Sequence, residues 1–233
     1  MRKSFAIATA TICFAVTACT TTNVKTTTNE FSASKANSGT LMFEPDVEMS
    51  AILASGITEP RAEWSQNAQA NLQTALEEEL RSRSSNVTFM DDSVTLTDQQ
   101  IQLMKLKDAV LQANSQYAVL KNKNDVFDLT LGPDANALAG DSGADYALLS
   151  SARGSFQTAG KMAVNAALLV LSAATGGGAY IQTGQQVATV SLVDLSTGDI
   201  VWTNTANLGG RADPRDIDGA KSVAKTLLKD FPL

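Results

Sequence analysis

The sequence predicts an α/β fold, or α+β if its strands segregate: a mixed sheet with an antiparallel C-terminal hairpin, flanked by amphipathic helices. Three observations carry that reading. Val187, Thr189, Ser191, Val193 and Leu195 alternate with Ala188, Val190, Leu192 and Asp194, then Ser196-Thr197-Gly198-Asp199 turns the chain and Ile200 to Thr203 returns it, which is a hairpin pattern. Apolar residues recur at steps of three and four around Trp64 to Leu76, Leu103 to Leu120 and Ala220 to Phe231, the period of helices with one greasy face. Tyr146 to Ser151, after Gly143-Ala144-Asp145, has the compact apolar character of a buried strand.

The elements follow in order. Leu41, Met42 and Phe43 lead into alternating Val47, Met49, Ala51 and Leu53, predicting one or two strands interrupted at Pro45. Thr58 and Pro60 announce a helix whose inner stripe is Trp64, Ala68, Leu72, Ala75 and Leu76, with Glu77–Arg81 and Glu79–Arg83 as i,i+4 pairs and Ser84-Ser85-Asn86 as its end. Val87 to Met90 is a short strand. Thr97 with Gln100 forms a capping box for a long helix striped by Leu103, Leu106, Val110, Ala113, Tyr117 and Leu120, read as a face laid on the protein's own sheet rather than a coiled-coil seam. Asn122 to Asp128 is polar, and Gly132-Pro133-Asp134 turns into a short helical piece. Ala163 to Ala174 is almost wholly apolar and shorter than a membrane span requires; it is read as a buried helix rather than a membrane-inserted one, with membrane contact left open for a channel subunit. The last helix, near Asp216 to Asp230, buries Ala220, Val223, Ala224, Leu227, Leu228 and Phe231, leaving Lys221, Lys225 and Lys229 on a solvated face.

At the other end of the chain, Arg2 and Lys3 precede Phe5 to Val16, an apolar run without charge, and the sequence turns polar at Thr20: a secretory signal pattern. Val16-Thr17-Ala18-Cys19 resembles the lipobox of bacterial lipoproteins, with Val16 where Leu is more usual. The resemblance implies a signal peptide over 1–18, cleavage between Ala18 and Cys19, a diacylglyceryl group on the Cys19 sulfur and acylation, as by palmitate, of its new amino group. Thr20, in place of the Asp that retains such proteins at the inner membrane, implies an outer-membrane location facing the periplasm. More than one acyl chain gives stable anchoring, so the membrane is a partner through lipid. Residues 19–38, rich in Thr, Ser, Asn and Lys, are expected to be a flexible tether because they bury too little apolar surface to offset ordering. Residues 39–233 then form a single periplasmic domain.

Composition excludes several functions. The chain has 233 residues, a net charge of −6, no histidine and two cysteines, of which Cys13 would leave with the signal. Nucleic-acid binding needs clustered Lys and Arg, and no basic stripe is present. Without His, and with Cys19 occupied by lipid, the common zinc sites and His-activated nucleophiles cannot be built. Gly154 to Met162 mimics a phosphate loop, but it has five residues rather than four between the glycines and Met162 where Ser or Thr should hold Mg²⁺. Gly176-Gly177-Gly178 reads as a turn into Tyr180. Glu44, Asp46 and Glu48 share one face of a strand and are read as edge decoration rather than a calcium or paired-carboxylate site. We therefore expect no catalytic, metal or cofactor residues and no enzyme activity.

"GADYALLSS", "VATVSLVDLSTGDIVWTN" and the closing helix together resemble the TolB N-terminal-like fold shared by the curli-secretion channel lipoprotein and the lipoprotein activators of penicillin-binding proteins. The resemblance covers mainly Gly143 to Leu233 and carries no catalytic residue. It implies an adaptor or assembly factor that contacts another envelope protein, or a self-associating subunit of an oligomeric outer-membrane secretion channel. If Cys19 is the lipid attachment point, Cys19→Ala loses the lipid mass and incorporates no labelled palmitate, as read by mass spectrometry and metabolic labelling.

Overall fold

In a computed structural model, the described residues are 21–26, 38–83, 86–90, 96–120, 129–209 and 212–232; of 21–26, 111 and 114–120 only the backbone is described. The expected signal peptide, the lipobox and Cys19 lie outside them, as do 27–37 of the expected tether, Ser84, Ser85 and the polar stretch 122–128. The side chains of Tyr117 and Leu120 are likewise not described.

Among the described residues, eight strands form one mixed sheet: β1 (Thr21–Thr26), β2 (Thr40–Met42), β3 (Asp46–Ile52), β4 (Thr58–Pro60), β5 (Val87–Phe89), β6 (Tyr146–Gln157), β7 (Gln186–Asp194) and β8 (Ile200–Asn207). The α-helices of the described residues are α1 (Ala62–Arg83), α2 (Asp98–Leu120), α3 (Ala159–Thr175) and α4 (Ile217–Leu227). The strand order is β1-β8-β7-β6-β2-β5, with β3 continuing the β2 side of β6 beyond Pro45 and β4 pairing with β3. Proline cannot donate to a ladder, and the interruption falls where the sequence predicts it. Both β2 and β3 run parallel to β6, whereas β6–β7 and β7–β8 are antiparallel.

β6 is buried on both faces over Tyr146–Ala152 and sorts its side chains by parity. Tyr146, Leu148 and Ala152 join a cluster with Leu72 and Leu76 of α1 and Val223 and Leu227 of α4. Ala147 and Leu149 join a second cluster with Leu103 and Val110 of α2 and Leu138 of the 3₁₀ helix Pro133–Leu138. Helices thus cover both faces of the sheet. On β7 and β8 the second face also holds hydroxyls that satisfy one another: Thr189 with Thr205 at 3.1 Å and Ser191 with Thr203 at 3.0 Å.

The ends of the helices are tied by side chains. Asp216 caps α4 by accepting from the Asp218 N–H at 2.8 Å, and Arg83 donates to the Leu228 carbonyl at 2.7 Å at the other end. Asn204 donates to the carbonyls of Thr226 and Leu227 at 3.1 and 2.8 Å, fixing α4 to β8. Gln100 reciprocates with Thr97 at the start of α2, the predicted capping box. In the hairpin turn, Gly198 has φ +82° and lies so close to Gly132 that a Cβ would fall 2.0 Å from its carbonyl oxygen, so no other residue fits there.

Several features differ from the sequence reading: Thr58 and Pro60, expected to announce the first helix, form β4, paired antiparallel with β3. Thr21–Thr26, inside the stretch expected to be a tether, pairs antiparallel with β8 from Thr21↔Asn207 to Thr26↔Trp202. Threonine suits strands and the outer edge of β8 offers unpaired backbone groups, a long-range gain that local composition does not reveal. On α2, Leu106 is exposed and Lys107 is buried instead, its ammonium 2.9 Å from Asp108. The inner face there runs Leu103, Lys107, Val110, narrower than the predicted stripe.

Because Leu148 is fully enclosed between the sheet and α1, Leu148→Ala is expected to cost about 2–5 kcal/mol through lost burial and the cavity left behind, measured as a lower urea midpoint with little change in slope.

Candidate interaction surface

α3 reverses the usual arrangement of an amphipathic helix. Its inward residues are polar: Lys161 and Asn165 are 7% and 5% exposed. Its large apolar residues face out, with Val170 at 72% and Met162, Val164, Leu168, Leu169 and Leu171 also exposed. This corrects the expectation that Ala163 to Ala174 is buried. The reason is that α1 and α4 fill one face of the sheet, and α2 with the 3₁₀ helix fills the other, leaving α3 no apolar surface to lie on.

Polar bonds hold the helix in place. Thr158 caps it, accepting from the Lys161 N–H at 3.3 Å while its hydroxyl donates to the Ile52 carbonyl at 3.0 Å. Asn165 donates to Gln157 Oε1 at 2.9 Å and to the Gln182 carbonyl at 3.2 Å, clasping the chain that leaves α3 to the chain that entered it. Gly176, at φ +68°, ends the helix, and Tyr180 beyond it is 88% exposed. The segment that mimics a phosphate loop is strand to Gln157 and helix from Ala159, so its glycines line no loop.

Beside α3, at the end of the sheet, opens a cavity of about 670 Å³ whose walls include Phe156, Gln157, Met162, Gln186, Asn207 and Arg215. Gly184 lies on its rim, where a Cβ would fall 2.0 Å from the Ser155 carbonyl oxygen, so the close approach requires glycine. Gln186 is buried, and its Oε1 accepts no hydrogen bond from the described residues, nor does Asn165 Oδ1. Two acceptors are therefore placed without donors at or beside the cavity.

One wall is built around Arg215. Its guanidinium lies 4.3 Å from the ring centre of Trp64 and 3.7 Å from that of Phe156, and the rings meet edge to face at 6.3 Å. Asp213 holds the guanidinium from the side, with Arg215 Nε donating to Oδ1 at 2.9 Å and Nη2 to Oδ2 at 2.6 Å. Asn71 of α1 donates to the Arg215 carbonyl at 2.9 Å. Burial raises the Asp213 pKa, but the hydrogen bonds from Arg215 and its charge outweigh that and leave it below the ordinary carboxylate value.

Asp46 and Glu48 stand on the outer side of β3, where both form ion pairs with Arg153 of β6: Asp46 directly and Glu48 at 3.8 Å. This fits the edge reading. Among the described residues no group of three or more His, Cys, Asp or Glu stands close enough to hold a metal, and no helix is long and apolar enough to cross a membrane.

The lipobox residues Val16, Thr17, Ala18 and Cys19 lie outside the described residues. Sequence reasoning missed Arg215, Gln186 and Asn165. A signal for the last was available: Lys161 and Asn165, four apart in an otherwise apolar helix, mark one face, and here that face is the inward one.

No protein family matches the chain, and no curated protein matches it in sequence. Among solved structures it is similar to the PelC dodecamer from Paraburkholderia phytofirmans, at 15% identity over 90% of this chain and 92% of that one, with a TM-score of 0.35. It is similar to lipoprotein GNA1162 from Neisseria meningitidis at 14% identity, over 73% and 78% of the two chains, with a TM-score of 0.29. The C-terminal domain of LpoB from Salmonella enterica gives 18% identity, 72% and 82% coverage and a TM-score of 0.27. Likenesses this distant carry no role across to this chain.

The depressed Asp213 pKa sets a pH dependence. Its ion pair contributes stability that is fully present above the ordinary carboxylate range and is lost as pH falls through the depressed value. Asp213→Asn is therefore expected to be less stable than the parent chain at neutral pH, with the difference closing in acid, read as urea midpoints across a pH series.

Proposed function

We propose that the chain is a lipid-anchored lipoprotein of the outer membrane, facing the periplasm, that acts without catalysis as an adaptor or assembly factor for another envelope protein. The observation that carries this reading is the groove at the end of the sheet. It sets the carboxamides of Gln157, Gln186 and Asn207 beside the apolar Phe156 and Met162 and the stacked Arg215. Carboxamides offer donors and acceptors to a polypeptide backbone, and aromatic residues, Met and Arg are the types enriched where proteins meet. The unpartnered Gln186 Oε1 supplies an acceptor for such a segment. Support for anchoring comes from the positive start, the apolar run and Val16-Thr17-Ala18-Cys19. The lack of histidine argues against the commonest acid–base chemistry.

A second reading, a subunit of an oligomeric outer-membrane secretion channel or complex, draws support from α3, whose apolar surface lies outside the chain's own core. In-cell photo-cross-linking separates the two. A photoreactive residue at exposed Thr183, on the groove rim, is expected to capture a distinct envelope protein, identified by mass spectrometry, while one at Lys225 on α4 does not. Adducts of two copies of the chain favour the second reading. Equal capture at both positions overturns the groove as the binding surface.

A further inference from the structure

The uncovered part of α3 needs an occupant, and its shape restricts the choice. Successive residues of a helix step by about 100° around its axis. From Ala166 to Leu171 every residue is exposed, the large ones from Leu168 at 39% to Val170 at 72%, so no side of this part of the helix is buried, and Leu168 to Leu171 supply large apolar side chains in four consecutive directions. A flat protein surface covers one side of a helix. An environment that is apolar on all sides is what an all-round apolar helix requires, and a bilayer provides it. Apart from Lys161, turned inward at the helix start, α3 carries no charged residue that would resist entering hydrocarbon.

A lipid on Cys19 would lie close to it. Thr21 pairs with Asn207, Asn207 with Val187, and Gly154 with the adjacent Gln186. Asn207 and Met162 of α3 line the same cavity. The start of β1 and the start of α3 are therefore at one end of the sheet. Cys19 is two residues before Thr21 in the sequence, and at ~3.3–3.6 Å per residue two residues of backbone reach at most about 7 Å. Acyl chains on Cys19 would hold this end of the sheet, and no other, against the membrane.

From these placements we infer that α3 enters the same leaflet of a phospholipid bilayer that holds the acylated Cys19, as a second membrane contact that fixes the orientation of the domain. The inference rests on the lipid-anchor reading for the position of Cys19, and on the exposure of α3 for its own contact. Its 17 residues extend about 25 Å, short of the ~30 Å hydrocarbon core, so the helix dips into the membrane and does not cross it.

The test uses the full chain purified from its membrane and reconstituted in phosphatidylcholine vesicles containing a phosphatidylcholine with a photoactivatable group in its acyl chain. After flotation and illumination, mass spectrometry reads two things separately: the mass on Cys19 and the positions of lipid adducts. Adducts concentrated on Leu168 to Leu171 are expected, with loss of adducts at the exposed Ile101 and Leu106 of α2 relative to α3. If the chain floats with lipid on Cys19 but α3 takes no adducts, the inference is overturned and the anchor stands. If a photoreactive residue at exposed Val170, placed in the same vesicles, instead joins α3 to a second copy while α3 takes no lipid adducts, self-association replaces it. Adducts on α3 without lipid on Cys19 uphold the bilayer contact of α3 but overturn the anchor reading and the placement beside an acylated Cys19; a chain that neither floats nor takes adducts overturns both.

Discussion

The two cores of this protein share one wall, β6. Its 12 residues pair with β7 on one side and with β2 and β3 on the other, so every layer takes its register from this strand. A one-residue slip would exchange Leu148 with Leu149 between the α1–α4 face and the α2 face, turning both sets of contacts over at once. Such a strand has to be apolar at both parities, which is why Tyr146 to Leu149 reads as an unbroken run and not as an alternation. Beyond Ala152 the requirement relaxes and Arg153, Ser155 and Gln157 appear, the last two at the end where the groove opens.

That change of character along one strand joins fold to surface. The first half of β6 is held by burial and the second half by polar bonds that position other elements: Arg153 pairs with the acids of β3, the Ser155 hydroxyl accepts from the Gln185 N–H, and Gln157 accepts from Asn165 of α3. α3 is thus secured by hydrogen bonds at its first two turns, and its remaining turns contribute little to the core. The arrangement leaves hydrophobic area in water that a self-sufficient domain would cover, and contiguous patches of this kind mark contact sites.

Much of this was legible in the sequence where the signal is local or periodic. The hairpin through Gly198, the capping box at Thr97, the break at Pro45 and the stripe of α4 each depend on neighbours within a few residues, and each stands where the pattern puts it. What was not legible depends on which surfaces remain free once other elements have packed. The apolar run of α3 looks like a core helix because hydropathy reports affinity for an apolar environment and not whether that environment belongs to the same chain. β1 was hidden because its threonines have no apolar alternation, and its pairing is decided by the open edge of β8, encoded almost 200 residues later. The Arg215 stack was hidden for a similar reason: Trp64, Phe156 and Arg215 meet only after α1, β6 and the segment before α4 are assembled.

β1 also gives the chain a mechanical direction. Tension entering upstream of Thr21 and directed along the strand is shared by the whole β1–β8 ladder, which then yields only by sliding all its rungs together. The same pull applied across the strand meets one rung at a time and peels it from Thr21 inward. How firmly the domain resists being drawn away from whatever holds its N-terminus is therefore a matter of angle, and a body lying with its strands along the line of pull is the harder one to undo.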